Sequence, residues 1–465
     1  MKRLSPSDAM FLYGESREQM FHVAAMMPFT PPPDAKPDHL RDLMDEIRAG
    51  AEVHRPWNMR LKSPDFLFNP MQAWVEDPDI DLEYHLRRSA LPSPGDEREL
   101  GILVSRLHGY HVDFHRPPWE AHLIEGLEGG RFALYVKVHH SLVDGFSAMR
   151  ILARALSTDP DERDRPLFFS IPPPQRAPRE QPQHDEDPAG AQYAAVLAAV
   201  REQYSAAKMA GRALKRVLDS SRAGGDHELV TPRQAPKSIL NARISQSRRF
   251  ATQRLELSRL KAVAKAAEGT MNDVVLALCA GSLRSYLLEQ NALPDAPLIA
   301  MVPVAVRAKD DIGEGNSVGA ILASLATHVE DPGERIAEII QSTKHAKHQL
   351  QGMSKAAIIQ YSALLIAPSM LQMIPQTAGH VRPTFNLVIS NVPGPEDSLY
   401  FRGARLEALY PMSIPVHGQA LNITCNSYAG TMCFGFTGCR DTLPHLQRLA
   451  VYCGEALEDL ERALR

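Results

Sequence analysis

The sequence contains no paired cysteine motif, no long uninterrupted apolar run and no excess of positive charge. The five cysteines form no CxxC pair, and their odd number does not suit a disulfide framework. They are therefore predicted to be small buried thiols of a reducing compartment. None of the five lies in a recognisable nucleophile context.

The N-terminal segment also lacks the apolar stretch of a signal peptide, so the protein is expected to stay in the cytoplasm. The net charge of -4 argues against nucleic acid as the main partner, because phosphate contacts require a basic surface. Residues 356–374 carry no charge but are too polar for a transmembrane helix. Two interpretations of this stretch stay open: a core helix pair interrupted at Pro368, or a lipid-facing segment or wall of an acyl tunnel.

A chain of 465 residues is expected to form two to three domains. Eight prolines between residues 160 and 188 predict an extended surface linker. We therefore divide the chain into an N-terminal domain (1–182), a linker with a helix (183–240) and a C-terminal domain (241–465). Both flanking domains mix helix and strand patterns, which indicates an α/β fold.

The segment around two adjacent histidines, RFALYVKVHHSLVDG, carries the most information. Strand side chains alternate between faces, so His140 should share the apolar face of the strand while His139 points the other way. The following helix should begin near Asp144 and Gly145, with the aspartate as its N-cap.

Three interpretations of this segment compete: a structural histidine pair, a metal site and a catalytic histidine. A metal site is weakly supported, because adjacent strand residues diverge and no HExxH or cysteine pairing accompanies them. A neutral imidazole in a dry channel would be a suitable general base near pH 7.

HHSLVDG matches the HHxxxDG signature of the coenzyme A-dependent acyltransferase superfamily. The chain more specifically resembles the bacterial wax ester synthase/diacylglycerol acyltransferase family, from about residue 4 to about residue 455. Other blocks that carry this resemblance are LSPSDAMFLYGES, PPWE at 117–120, Asn272-Asp273, MVPVAVR at 301–307, Gly-Asn at 315–316 and NLVISNVPGP at 386–395. Pro118 replaces the leucine that is usual in the family, which affects packing.

The resemblance implies two chloramphenicol acetyltransferase-like α/β sandwich domains with the reaction channel between them. It also implies transfer of a long-chain acyl group from acyl-CoA to a fatty alcohol or diacylglycerol, without an acyl-enzyme, a cofactor or a metal. Such apolar substrates suggest peripheral association with the inner membrane face or with lipid inclusions.

The resemblance further implies that His140 is the general base and that Asp144 is structural, pairing with an arginine for which Arg60 and Arg307 are candidates. Gly145 suits a tight turn where the backbone comes close to substrate or to another element. His139 is expected to orient the turn by hydrogen bonding, although a merely packed histidine remains an alternative.

Asn272 is the second catalytic candidate, because its carboxamide can donate a hydrogen bond to an oxyanion or hold the incoming hydroxyl. Without the resemblance, Asn272 would be interpreted as a helix cap. Asp273 is expected to be structural.

Alternatives from other classes are an amide-forming condensation-type acyltransferase, a lipid-binding protein without activity and, remotely, a zinc hydrolase.

Overall fold

The computed structural model describes residues 2–4, 6–36, 38–64, 72–173, 230, 234–305 and 318–465. The strands are β1 (Lys2–Arg3), β2 (His22–Thr30), β3 (Met59–Leu61), β4 (Ala73–Glu76), β5 (Leu86–Ala90), β6 (Trp119–Glu125), β7 (Phe132–His139), β8 (Arg248–Glu256), β9 (Ile299–Ala305), β10 (Val318–Ser324), β11 (Leu387–Val392), β12 (Tyr400–Phe401), β13 (Ala404–Leu406), β14 (Tyr410–Met412), β15 (Leu421–Tyr428) and β16 (Thr431–Cys439).

The α-helices are α1 (Pro6–Tyr13), α2 (His39–Gly50), α3 (Leu82–His85), α4 (Glu97–His108), α5 (Gly145–Arg154), α6 (Leu257–Ala266), α7 (Met271–Glu289), α8 (Pro332–Leu350), α9 (Lys355–Ile366) and α10 (Arg448–Ala463). Many begin at a side-chain cap, since a Ser, Thr or Asp oxygen can bind the otherwise unpaired N–H groups of the first turn. Asp96 caps α4, Asp331 caps α8 and Ser354 caps α9 in this way.

The N-terminal half is built on a sheet with the strand order β12-β13-β2-β7-β6-β5, and β14 also pairs with β2. Strand β7 lies in the middle, antiparallel to β2 on one side and to β6 on the other. Every residue of β7 is buried, because elements cover both faces of the sheet. The chain therefore emerges from the centre of the sheet at the histidine pair.

The second sheet has the order β10-β9-β11-β15-β16-β8. Its apolar core lies under α6, α7 and α10. A proline within a strand normally lies at an edge or a bulge, yet Pro303 lies in β9, the second strand in this sheet. The proline is tolerated because the β11 ladder pairs only with Ala300 and Met301, leaving Pro303 beyond it.

The C-terminal half also supplies β12, β13 and β14 to the N-terminal sheet, where β13 and β14 pair with β2. The predicted division at residue 241 places this segment, 400–412, in the other domain. Pairing with β2 provides hydrogen-bond partners for the backbone groups of β13 and β14, and no local sequence pattern predicted this pairing.

The start of the proline-rich stretch differs from the predicted surface linker. Phe168 and Phe169 form a short 3₁₀ helix and are fully buried. The Phe168 ring lies 4.6 Å from that of Trp57, and Phe169 stacks 5.5 Å from Trp119. Aromatic burial in the N-terminal core therefore overrides the local proline content. The predicted helix at 191–220 lies outside the described residues.

Residues 356–374 form α9 and a 3₁₀ helix over Ala367–Met373, so the interruption falls near Pro368 as predicted. In the described part of the chain, no helix combines the length and the apolar character needed to cross a bilayer. The five cysteines are all buried, unpaired thiols, as predicted.

Candidate active site

The two histidines are held in place by backbone hydrogen bonds from both neighbouring strands. The N–H of His139 donates to the carbonyl of Pro118, just before β6, at 2.9 Å. The N–H of His140 donates to the carbonyl of Phe21, just before β2, at 2.8 Å. The turn after β7 is thus anchored at its first two residues to the centre of the sheet.

The His140 side chain is partly exposed and packs against α1, where its ring centroid lies 4.2 Å from that of Phe11. Its Nδ1 atom is buried and has no hydrogen-bond partner among the described residues. Burial lowers the pKa of His140 to about 4, although Asp144 opposes the shift by favouring the charged ring. The imidazole is therefore neutral near pH 7.

His139 is fully buried. The N–H of Ser141 donates to its Nδ1 at 3.2 Å, so that nitrogen must carry a lone pair. The proton then resides on Nε2, which donates to Oε1 of Glu15 at 3.1 Å. These bonds tie His139 to the turn on one side and to the N-terminal segment on the other.

Glu15 hydrogen-bonds directly to His139 and is linked to His140 through the backbone of Phe21. Its Oε1 accepts a 2.6 Å hydrogen bond from the N–H of Phe21, whose carbonyl in turn holds the N–H of His140. Its Oε2 accepts from His111 Nδ1 at 3.0 Å. Burial would raise the pKa of Glu15, but the hydrogen bonds from His111 and His139 outweigh it and lower that pKa overall.

Sequence reasoning missed Glu15, because a single carboxylate after a helix has no diagnostic spacing. Glu15 could have been found only indirectly, because it lies in the LSPSDAMFLYGES block on which the family resemblance partly rests.

Asp144 is the N-cap of α5, as predicted. Its carboxylate accepts hydrogen bonds from the N–H of Ser147 at 2.8 Å and from the Ser147 hydroxyl at 2.9 Å. Of the two arginines suggested as its partner, Arg60 instead lies 3.8 Å from Asp77. Arg307 lies outside the described residues.

Gly145 is the first residue of α5, and a Cβ built on it meets no atom within 4 Å. Of the two alternatives for Gly145, the described residues do not show a close approach to another element, and close approach to substrate stays a prediction. The space beside this backbone is open.

Asn272 is the second residue of α7 and is partly exposed. The cap is Thr270, which forms a capping box with Asp273. The interpretation of Asn272 as the cap is therefore wrong, because the preceding threonine already occupies that position. The Asn272 carboxamide makes no hydrogen bond within the described residues.

Asp273 is buried and fully engaged. One oxygen accepts from the Thr270 N–H at 2.8 Å and from the Thr270 hydroxyl at 2.7 Å, and the other accepts from Thr343 at 2.6 Å. These bonds fix the start of α7 to α8 and keep the Asp273 carboxylate occupied.

The structure brings His139, His140, Asp144 and Gly145 together in one turn of the N-terminal half. It places Asn272 and Asp273 in the C-terminal half, and no hydrogen bond or ring contact joins the two groups within the described residues. The segment that carries Glu15 connects the halves, since Gln19 accepts a 3.0 Å hydrogen bond from the N–H of His417. The buried Arg248 guanidinium also donates to the carbonyl of Glu18.

A metal site finds no support in the part of the chain that the structure describes, where no cluster of three His, Cys, Asp or Glu side chains could hold an ion.

Comparison with known proteins matches residues 4–275 to the wax ester synthase/diacylglycerol acyltransferase catalytic domain and residues 314–461 to the C-terminal domain of the same family. A Mycobacterium tuberculosis protein named as a diacylglycerol O-acyltransferase is 52% identical, covering 99% of this chain and 97% of its own. The O-acyltransferase WSD of Acinetobacter baylyi is 40% identical, with 99% and 97% covered.

Among solved structures, the wax ester synthase/diacylglycerol acyltransferase from Marinobacter aquaeolei VT8 superimposes with a TM-score of 0.77 at 39% identity, with all of both chains covered. The predicted fold class is thereby confirmed.

Proposed function

The chain belongs to the wax ester synthase/diacylglycerol acyltransferase family, and from that premise we propose that this acyl-CoA-dependent O-acyltransferase moves a long-chain acyl group onto a fatty alcohol or a diacylglycerol. The products would be a wax ester and triacylglycerol. The observation that carries the proposal is the neutral, partly exposed His140 imidazole at the end of the central strand.

In the proposed reaction, the hydroxyl oxygen of the acceptor attacks the thioester carbonyl carbon while His140 takes the hydroxyl proton. The tetrahedral intermediate then breaks the carbon–sulfur bond, and the departing coenzyme A thiolate recovers that proton from His140. No covalent acyl-enzyme and no cofactor enter this scheme. General base catalysis of this kind contributes about 10²–10⁴-fold.

The low pKa of His140 affects the two proton transfers differently. Burial keeps the ring unprotonated near neutral pH, so it is available to accept a proton, while a pKa of about 4 also makes it a weaker base than a solvated histidine. The protonated ring is correspondingly a stronger acid, which favours its return of the proton to sulfur. Since Nδ1 is buried, Nε2 is the nitrogen proposed to meet the substrates.

The neighbouring turn is proposed to support these transfers. Bonds from His139 and Ser141 stabilise it, and Asp144 fixes the start of α5. We propose that one substrate occupies the open space beside Gly145.

Asn272 is proposed to stabilise the oxyanion or to hold the acceptor hydroxyl. Its carboxamide is partly exposed and is not used for capping, since Thr270 and Asp273 form the capping box. An amide N–H aimed at developing negative charge contributes more in a dry site than in water.

Burial of the long methylene chains of both substrates would supply most of the binding free energy. A chain of about 16 carbons gains on the order of 10 kcal/mol, at about 0.8 kcal/mol per CH₂. Because such substrates reside in lipid, we place the reaction at the cytoplasmic membrane face or on lipid inclusions.

The proposal is tested with radiolabelled palmitoyl-CoA and purified protein, offered hexadecanol, dioleoylglycerol or neither. We expect labelled ester with each acceptor. Release of free palmitate alone, or no transfer to any hydroxyl, would contradict it.

The absence of an acyl-enzyme is tested separately by intact-mass spectrometry after mixing the protein with palmitoyl-CoA without acceptor. The expected mass is that of the unmodified chain. A gain of one palmitoyl group would overturn the single-histidine scheme while leaving the overall reaction standing.

A further inference from the structure

Helix α9 and the 3₁₀ helix that follows it carry apolar side chains on their outer side as well as on their buried side. The buried side packs Tyr361 and Leu365 into a small apolar core cluster, and it also includes Ser362, Ser369 and Gln372, which are at most 5% exposed. Their outer side presents Ile359, Leu364, Met370 and Ile374, which are 38–45% exposed. A surface helix normally turns its apolar stripe inward and its polar face to solvent.

Several buried polar atoms of this segment have partners, whereas Gln372 Oε1 is buried without one among the described residues. The N–H of Ala320, in edge strand β10, donates to the Ser362 hydroxyl at 2.8 Å. The hydroxyl of Ser369 donates to the Ile366 carbonyl at 2.7 Å, and Gln372 donates to the carbonyl of Arg382 at 3.2 Å. Together with the packing of Tyr361 and Leu365, the bonds to Ala320 and Arg382 hold one side of the segment inward and leave the apolar side chains of the other side exposed.

The exposed apolar residues are concentrated here. Of the eleven large apolar side chains exposed in the described residues, five lie between positions 359 and 381. These five are Ile359, Leu364, Met370, Ile374 and Val381, and we call them the docking face. Apolar side chains scattered singly over a surface need no explanation, whereas a cluster indicates an interaction surface.

The charge of the surrounding chain selects the occupant. No aspartate or glutamate occurs between Glu338 and Glu396. Over the same stretch the chain carries four exposed cations, Lys344, Lys347, Lys355 and Arg382. The whole chain, by contrast, has a net charge of -4. A positively charged apolar surface is complementary to anionic phospholipid headgroups above an acyl layer.

We propose that the docking face inserts into the interfacial layer of an anionic phospholipid surface, with the four cations against the headgroups. The inference deepens the proposed function by assigning the surface through which the enzyme would meet its lipid substrates, and it rests on that function. The apolar side chains would supply affinity through burial in the acyl boundary. The cations would add an attraction that salt weakens.

The test measures co-flotation of the full-length protein with phosphatidylethanolamine vesicles that do or do not contain phosphatidylglycerol. Wild type should bind the anionic vesicles, and added salt should weaken binding. The double variant Leu364→Glu and Met370→Glu should reduce the affinity at least about tenfold, because two inserted side chains become charged.

The matched control is Leu288→Glu with Val451→Glu, which are apolar positions on α7 and α10 that are exposed somewhat more than Leu364 and Met370. This control should bind vesicles as wild type does, and thermal unfolding should show all variants folded. Equal loss in both double variants, or no vesicle binding by wild type, would overturn the proposal.

Two further measurements separate this inference from other outcomes. If the Leu364 and Met370 double variant abolished self-association in sedimentation velocity but left vesicle affinity unchanged, the face would be a protein interface and the proposal would be wrong. Turnover of detergent-dispersed hexadecanol should stay within about twofold of wild type in this variant. Absence of turnover in the wild type would instead refute the proposed function.

Discussion

The central strands of the two sheets are surrounded by different kinds of buried polar group. In the N-terminal half, the interior side of β7 and its neighbours holds titratable residues, among them His22, His108, Glu120, Lys137 and His139. In the C-terminal half, the buried polar residues around β11 and β15 are mainly amides and hydroxyls, among them Asn241, Asn386, Asn422, Thr424 and Asn426.

The N-terminal network depends on charge. Lys137 is completely buried, and its ammonium lies 3.2 Å from the Glu120 carboxylate and donates to the carbonyl of Tyr110 at 2.9 Å. Lys137 and the neighbouring His122 lower the pKa of Glu120 to about 2 despite its burial. Such a network is sensitive to pH and to the loss of any partner.

The C-terminal network is neutral. The Asn386 amide donates to Asn241 at 2.7 Å, and its carbonyl oxygen accepts from the N–H of Ile299 at 2.8 Å. We propose that the first half provides the general base, His140, and that the second half provides a neutral hydrogen-bond donor, Asn272.

The largest effect expected from this comparison follows removal of the base. His140→Ala should lower ester formation by about 10²–10⁴-fold, because the variant lacks the imidazole that we propose as the general base. The thermal midpoint should stay near that of wild type. Steady-state assays with palmitoyl-CoA would measure it, with the exposed His115→Ala as the control. A loss of only a few fold would remove His140 from the chemistry.

The second largest effect is expected from removal of Asn272, the proposed neutral hydrogen-bond donor. Asn272→Ala should lower kcat by about 10²-fold, as loss of an oxyanion donor does, with little change in the KM for acyl-CoA. Stability should be unaffected, because Thr270 is the cap of α7.

Thr270→Ala gives the reciprocal result. It should destabilise the fold by about 1 kcal/mol while leaving kcat largely intact. If Asn272→Ala lowered the unfolding temperature and Thr270→Ala did not, the assignment of the two roles would be reversed.

Glu15→Gln should have a smaller effect, a loss of about tenfold in kcat, because the amide keeps a bond to Phe21 but loses the charge that holds His139 and His111. A positioning role should also change the pH dependence of kcat. Glu18→Gln, three residues further along the same segment, serves as the control and should match wild type. An unchanged rate and pH profile in Glu15→Gln would exclude the positioning role.

The smallest effect concerns the stability of the fold at acidic pH. Burial lowers the folded-state pKa of His108 to about 3 and lowers that of His22 well below the ordinary value. The unfolded chain therefore binds protons at pH values where the folded chain does not. The unfolding free energy should fall as pH decreases from about 6.5, the unfolded value, toward the folded values.

Hydrogen exchange compared at about pH 7 and pH 5, corrected for intrinsic rates, would localise this effect. Amides of β2, β6 and β7 should lose protection, while those of β15 and β16 should not. Equal losses in both sheets would show that the buried histidines do not govern acid stability. Catalysis itself should stay nearly constant down to about pH 5, since the pKa of His140 is about 4.

Local sequence patterns predicted much of this structure. The alternation in RFALYVKVHH correctly predicted the strand β7, and Asp144 was correctly expected to cap α5. Strand and helix periodicities are local, so they can be found from one sequence. The assignment of His140 and Asn272 to catalysis came from the family resemblance and stays a prediction.

Long-range features could not be predicted in this way. Glu15 acts through partners more than a hundred positions away, such as His139. Burial of Phe168 and Phe169 against Trp57 and Trp119 requires the folded core, and local composition there suggested exposure. Which apolar side chains of α9 are exposed likewise depends on which side of the helix packs against β10.

The contribution of β13 and β14 to β2 has a consequence for biosynthesis. While the ribosome is still translating, β2 has β7 on one side and bare N–H and C=O groups on the other. An open strand border of this kind readily recruits other chains. That border therefore stays unpaired until residues 404–412 have been synthesised, long after β2 itself, which favours expression conditions that slow synthesis or supply chaperones.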